Sequence, residues 1–355
     1  MKLSVFCEKL FLRIRGKLGS LFIPLAKIKN YLLSRNAKHL VIIYDLQANA
    51  LSFNFLQFLI DSEIYREKLS LNFSHLYIIN KHRSEKTRWN TFYKAYSNSN
   101  LDRRANYLLP QLANLFPKII KVKVLSDAKQ IKEPVCLIPS FPPTFFKGLP
   151  ISNNHDYVLP YLQSDTSLPE GFTECNLSKE IEPLLRKWLR NKNATGFVVL
   201  TIRSSKFDIT RNSNIKVFEE FSNYLKSLNL EVLSIPDSEN PSKNIKNDIP
   251  SELIKMALEN IHVRYYLYKR SILNIFSPNG PSMLCTYSLD IPYILMDLYP
   301  DKSEVKQREI WFDPLPFIEN CVKPYWSRSK KQFMVKEKES FLSLKKYFDN
   351  YRKPF

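Results

Sequence analysis

Short apolar runs, each followed by a longer stretch with helical spacing, constrain this chain more than any other feature. "HLVIIYD" (39–45) is compact, apolar and closed by an acid, and Phe55, Leu59, Ile60 and Ile64 then mark a helix over about Ser52–Lys68. "HLYIIN" (75–80) follows, then a helical stretch Arg103–Phe116, then "IIKVKVL" and "PVCLIPS". Runs of this length suit buried strands. Consecutive parallel strands need a crossover, which a helix supplies. The alternation therefore predicts an α/β fold with a mostly parallel sheet covered by helices.

The rhythm breaks once. Residues 139–171 hold Pro139, Pro142, Pro143, Pro150, Pro160 and Pro169 among Gly, Ser and Asn, which marks a domain boundary. It then restarts with a helix Ser178–Arg190, a strand Phe197–Ile202, a helix Asn214–Leu228 and a strand "EVLSI". Two short helices within 250–272, a strand "LNIFS", a turn "PNGP", a short helix, a strand "IPYILM" and a charged helix near Glu337–Asn350 complete it. A length of 355 residues at 44% apolar content supports two cores. The expected division is a basic segment 1–38, α/β domains 39–170 and 171–330, and a basic C-terminal helix 331–355.

The net charge of +19 resembles a nucleic-acid signal until it is placed along the chain. Residues 1–38 carry +8 and residues 323–355 carry +7, leaving only +4 for the body. Charge confined to the ends favours attraction to an anionic surface over a basic groove, so no nucleic-acid partner is expected. Leu3, Cys7, Leu10, Ile14, Leu18, Leu21 and Leu25 form one helical stripe, with Lys2, Lys9, Arg13 and Lys17 opposite. Such a segment can lie in a membrane interface or pack on its own domain. The expected location is the cytoplasm, with attachment to the inner face of the cytoplasmic membrane through this segment. Five scattered cysteines without CxxC spacing point to reduced thiols, and five histidines without HxxxH or HExxH argue no metal site.

Six glycines exclude much chemistry. No set of them completes GxGxxG or a Walker A loop, and there is no GxSxG elbow and no DxD. Ligands of open α/β sheets gather beyond the carboxyl ends of the strands, where four polar loops fall. "RSSKFDITRNSN" offers Arg203, Ser204, Arg211 and Asn212 after a buried strand. Arg203 is suited to a bidentate grip on phosphate or to an ion pair with Asp237, while Asn212, Ser213 or Asn214 would cap the next helix. "IPDSEN" contributes Asp237 as an acceptor for a hydroxyl or a partner for arginine. In "HVRYYLYKRS", Arg264, Tyr268 and Ser271 share a face, and Tyr265, Leu267 and Ile272 read as core. "SPNGPSMLC" supplies Asn279, Gly280, Pro281 and Ser282, with Ser282 at a helix N-terminus suited to an anion or serving as a simple cap.

"IIYDLQANALSFNFLQFLIDSEIYR", "LTIRSSKFDITRNSNIKVFEEFSNYL", "VLSIPD" and "HVRYYLYKRSILNIFSPNGPSMLC" resemble a bacterial group of glycosyltransferase-like proteins of the GT-B type, often found with cell-surface polysaccharide genes. The resemblance covers most of residues 39–300. Arg203 is more distantly similar to the arginine that fucosyltransferases of this architecture aim at the donor pyrophosphate, although their histidine two residues earlier is Thr201 here. The resemblance implies two Rossmann-like domains facing a cleft, a nucleotide sugar held by the C-terminal domain, and a glycan or lipid-linked acceptor held by the N-terminal one. It implies no metal and no cofactor, because basic residues neutralise the leaving diphosphate. It also implies a final helix that crosses back to the first domain, for which Glu337–Asn350 is the candidate. An inverting reaction would need a base. Asp45 is the first candidate and His155 the second, with a turn or cap role the alternative for Asp45. Three other readings stand beside it: an epimerase-like enzyme on the same scaffold, a nucleic-acid-binding protein using its basic ends, and a non-catalytic scaffold.

Overall fold

The computed structural model describes residues 25–46, 49–80, 96–143, 172, 178–205, 209–237, 250–297, 312–314, 320–324, 327 and 329–352. His155, Asp208 and most of the N-terminal stripe lie outside them. The chain divides into two units, Met1–Pro169 and Glu170–Phe355.

The first unit holds a four-stranded, all-parallel sheet. Its strands are β1 (His39–Asp45), β2 (Phe73–Ile79), β3 (Ile119–Leu125) and β4 (Ser140–Phe141), in the order β3-β2-β1-β4. Helix α1 (25–34) is tied down by Asn30, whose Nδ2 donates to the Ser140 carbonyl at 2.7 Å and to Tyr65 Oη at 3.1 Å. Helix α2 (Asn54–Lys68) crosses from β1 to β2. The expected helix at 103–116 begins earlier, as α3 (Asn98–Arg103), passes through a π-turn at Arg104–Leu108 and ends in α4 (Leu109–Ala113). Pro110 supplies the reason: it has no N–H for the Asn106 carbonyl and its ring crowds that group, so the helix widens ahead of it. "PVCLIPS" is not a full strand. Prolines on both sides leave only Ser140–Phe141 able to join the ladder beside Val41 and Ile42.

Helix α2 is buried on almost every side, with Phe55, Leu56 and all of Phe58–Arg66 inaccessible. Glu63 and Arg66 satisfy one another at 2.9 Å, helped by Ser74 and the Leu71 carbonyl. Asp61 has no such company: its Oδ1 is buried without a hydrogen-bond partner, and burial pushes its carboxyl well above the ordinary 3.8. The folded chain therefore keeps a proton that the unfolded chain releases above about 3.8, so this group's contribution to stability falls as pH rises from there toward its folded pKa. Asp61→Asn is expected to stabilise the first unit by roughly 1–3 kcal/mol at pH 8 and much less at pH 4. Calorimetric melts at the two pH values would check this; an equal gain at both would discount ionisation as the cause.

The second unit holds a seven-stranded sheet in the order β6-β5-β7-β8-β11-β10-β9. The strands are β5 (Phe197–Ile202), β6 (Glu231–Pro236), β7 (Leu273–Phe276), β8 (Tyr293–Leu295), β9 (Phe312–Pro314), β10 (Cys321–Pro324) and β11 (Gln332–Val335). The first five in that order are parallel, β10 runs antiparallel to β11, and β9 runs antiparallel to β10. Among the described residues the unit's α-helices are α5 (Ser178–Asn191), α6 (Ile215–Ser227), α7 (Ser251–Glu259), α8 (Ile261–Arg270), α9 (Met283–Thr286) and α10 (Phe341–Arg352). The expected crossing-back helix is α10, but its apolar face is taken up by its own unit. Leu344, Tyr347, Phe348 and Tyr351 join Phe218, Phe221 and Leu225 of α6 and Val198, Leu200 and Ile202 of β5 in one core. The Tyr351 hydroxyl also donates to the Ile272 carbonyl at 2.6 Å. Both units are thus α/β, with parallel-dominated sheets in a Rossmann-like manner. Among the described residues, no helix is long and apolar enough to cross a membrane.

Candidate functional site

In the second sheet β6 lies on one side of β5 and β7 on the other. The chains leaving β5 and β7 therefore diverge, and a crevice opens at their carboxyl ends. Arg203 follows β5 directly, Ser277 follows β7, Asp237 follows β6, and Asp297 lies just past β8.

Two clasps shape the loop after β5. The Arg203 N–H donates to Ser213 Oγ at 2.9 Å and the Ser213 N–H returns to the Arg203 carbonyl at 3.0 Å. The Ser205 N–H donates to Asn212 Oδ1 at 2.7 Å and Asn212 Nδ2 to the Ser205 carbonyl at 3.0 Å. Of the three expected cap candidates, Asn212 and Ser213 are spent on these clasps. Asn214 holds the N-cap position of α6 without a side-chain bond, and its N–H goes to Glu339 Oε1 at 3.1 Å. Asp237 receives the Ser204 N–H at 3.1 Å and faces Arg203 Nη1 at 3.5 Å. That last contact is an ion pair, too long for a good hydrogen bond. Arg203 is 8% exposed and its buried Nε has no acceptor. A buried guanidinium N–H without a partner costs about 1–3 kcal/mol, which an incoming anion would offset.

Arg264 lies on α8, buried, with Nε donating to the Ala257 carbonyl at 3.0 Å and Nη2 to the Pro236 carbonyl at 2.8 Å. Its Nη1 is buried without a partner. Tyr268 corrects the sequence reading. It has no exposed surface; its hydroxyl meets Thr201 Oγ1 at 2.8 Å, and burial pushes it up to about 12. It supports the end of β5 from below and has no face for a ligand. Ile272, expected in the core, is exposed.

The "PNGP" turn takes the second of its two expected roles, with Ser282 at the N-cap position of α9. The Ser282 N–H donates to Asn279 Oδ1 at 2.8 Å and Ser282 Oγ to the Asn279 carbonyl at 2.7 Å. The next two N–H groups go to the carbonyls of Gly280 and Pro281. These amides are consumed inside the turn, and α9 has only four residues, so Ser282 serves the turn and not an anion. The turn is tied across the crevice by Arg211, whose Nη2 donates to the Pro278 carbonyl at 3.0 Å. Ser277, which sequence reasoning passed over, has a buried Oγ without a partner at the same edge.

Two acids were missed as well. Burial raises the carboxyl of Asp297 against the pull of Lys338 and Arg211, and burial raises Glu339, with Asp297 adding to it. Asp297 could have been found, because it directly follows the "IPYILM" run; nothing local marks Glu339. Arg203, Ser204, Arg211, Asn212, Asp237, Arg264 and the 279–282 turn thus belong to one edge of the second sheet. Asp45 occupies the corresponding edge of the first sheet, where β1 lies between β2 and β4. It is 8% exposed, and its carbonyl accepts from the Asn49 N–H and Nδ2, both at 3.0 Å.

No protein-family model matches the sequence, and no curated protein does. Solved structures similar to this chain include a glycosyl transferase family 9 protein from Veillonella parvula, at 13% identity and a TM-score of 0.41 over 90% of this chain and 91% of that one. The E. coli heptosyltransferase WaaC with ADP is similar at 11% identity and a TM-score of 0.40, over 88% of this chain and 99% of that one.

Proposed function

We propose that this chain is a glycosyltransferase that moves a sugar from a nucleotide-sugar donor to a surface-polysaccharide or lipid-linked glycan acceptor without a catalytic metal. The observation that carries the reading is Arg203: a buried guanidinium with an unmatched Nε at the switch point of a parallel sheet. An anion there gains charge-assisted hydrogen bonds in a site of reduced dielectric. Arg203 holds the donor diphosphate and stabilises the charge that develops as it leaves. Asp237, Ser204 and Arg264 position that guanidinium and its loop, while Arg211, Asn212 and the Asn279–Ser282 turn hold the two loops together. Asp45 takes the proton of the acceptor hydroxyl. The test is a thermal-shift screen of UDP, GDP, CDP, ADP and dTDP. One diphosphate raising the melting temperature identifies the donor class by mass action, and no shift with any of the five counts against the reading.

We further propose that α1 rests on an anionic bilayer, which suits a lipid-linked acceptor. It buries Ala26 and Asn30 and exposes Leu25, Ile28, Tyr31 and Leu32, with Lys29, Arg35 and Lys38 nearby in the chain. Apolar insertion and cationic attraction act together at such a surface. The full chain is expected to sediment with vesicles containing phosphatidylglycerol and several-fold less with phosphatidylcholine alone. Replacing Leu25, Ile28 and Leu32 together by serine should reduce the bound fraction; equal binding to both vesicle types would contradict the proposal.

A further inference from the structure

The amino end of the first sheet carries a second polar cluster, six residues along β1 from Asp45 and so about 20 Å away. His39 opens β1 and His75 lies in β2, opposite Val41 on one side and Lys121 of β3 on the other. The parallel register puts both imidazoles on one face, ring centroids 4.3 Å apart. Glu133, from the connection between β3 and β4, reaches into the same place. His39 Nε2 is 3.0 Å from its Oε2, His75 Nδ1 is 2.8 Å from Oε1, and Lys121 Nζ is 2.8 Å from Oε1. The Tyr77 hydroxyl donates to the same oxygen.

We propose that His39, His75 and Glu133 form a site for a divalent transition-metal ion of the zinc class, with Lys121 as the counter-ion that holds the carboxylate when no metal is bound. The three ligand atoms lie within 4.8 Å of one another. Bonds of about 2.0–2.1 Å in a tetrahedron put ligands roughly 3.3 Å apart, so a set already within 4.8 Å needs to close by about 1.5 Å at most. Two imidazoles and one carboxylate favour zinc, cobalt, nickel or copper over magnesium and calcium. The side chains are 15–34% exposed, which leaves a fourth position for water. A bound ion would pin the β3–β4 connection to β1 and β2, at the opposite end of β1 from Asp45, and the site stands independently of the proposed function.

The experiment is calorimetric titration of the chelator-treated full-length chain with zinc chloride, paired with the visible spectrum of the cobalt form. One zinc per chain is expected, with a four-coordinate cobalt spectrum lacking thiolate charge transfer. His39→Ala combined with His75→Ala should lose affinity about a hundredfold, whereas Lys121→Met should bind more tightly because a competing ammonium is gone. Cys136 is exposed three residues from Glu133, and Cys136→Ser should leave the stoichiometry unchanged. If the double variant does not fold, Glu133→Gln and Lys121→Met keep the comparison, since they must shift affinity in opposite directions. Absence of binding, or binding indifferent to these substitutions, overturns the site and leaves a hydrogen-bonded carboxylate hub.

Discussion

Arg203→Ala is expected to abolish the stabilisation that a nucleoside diphosphate confers on the native chain and to lower kcat/KM for transfer about 10²–10³-fold. That magnitude follows from removing one preorganised donor from a site where negative charge develops. The fold should survive. The Ser213 clasp uses only the backbone of Arg203, and Asp237 retains the Ser204 N–H. The unliganded melting temperature should fall by a few degrees, because Asp237 loses its ion-pair partner at 3.5 Å, a cost that removal of the buried, unmatched Nε offsets only in part. Arg203→Lys separates charge from shape: it keeps the cation but not the planar fork, so binding should return only in part. The measurement is the diphosphate-induced melting shift in the three proteins, followed by transfer rates. An undiminished shift in Arg203→Ala would show that the anion binds elsewhere.

Asp45→Asn is expected to lower the transfer rate about 10²–10⁴-fold while the diphosphate-induced shift stays at its native value. The amide keeps the shape of the carboxyl but cannot accept a proton. The local turn is held by the Asp45 carbonyl, which accepts both bonds from Asn49, so it should persist. A turn or cap residue would give the opposite pattern, with lower stability and an unchanged rate. Steady-state rates beside melting temperatures distinguish the two. A native rate in Asp45→Asn removes it as the base.

Much of the architecture was legible because it rests on local signals. The strands His39–Asp45, Ile119–Leu125, Phe197–Ile202 and Glu231–Pro236 coincide with apolar runs that end in polar or proline residues. Helix α6 begins and ends within one residue of its expected limits, since its apolar stripe is period-3.6 and its neighbours are polar. The strands at Phe312–Pro314, Cys321–Pro324 and Gln332–Val335 were not legible. They are three or four residues long, too short for periodicity, and are strands because each finds an edge to pair with, β11 on β8, β10 on β11 and β9 on β10. Tyr268 was misplaced for a related reason: a tyrosine's polar tip reads as a surface signal unless Thr201, on a different element, is known to receive it.

By itself, then, the sequence determined the alternation of strand and helix, the proline-rich break near residue 150, and the presence of Arg203 and Asp237 directly after buried strands. These follow from side-chain period, backbone dihedral limits and the position of charge along the chain. Only the tertiary structure decided which polar groups share a place. Parallel pairing joins residues across whole crossovers, so His39 and His75 meet a glutamate 94 and 58 positions away, and Asn214 finds Glu339 at 125. It also decided which charges lack a partner, because the free energy of a buried arginine or aspartate depends on the groups packed around it and not on its neighbours in the chain.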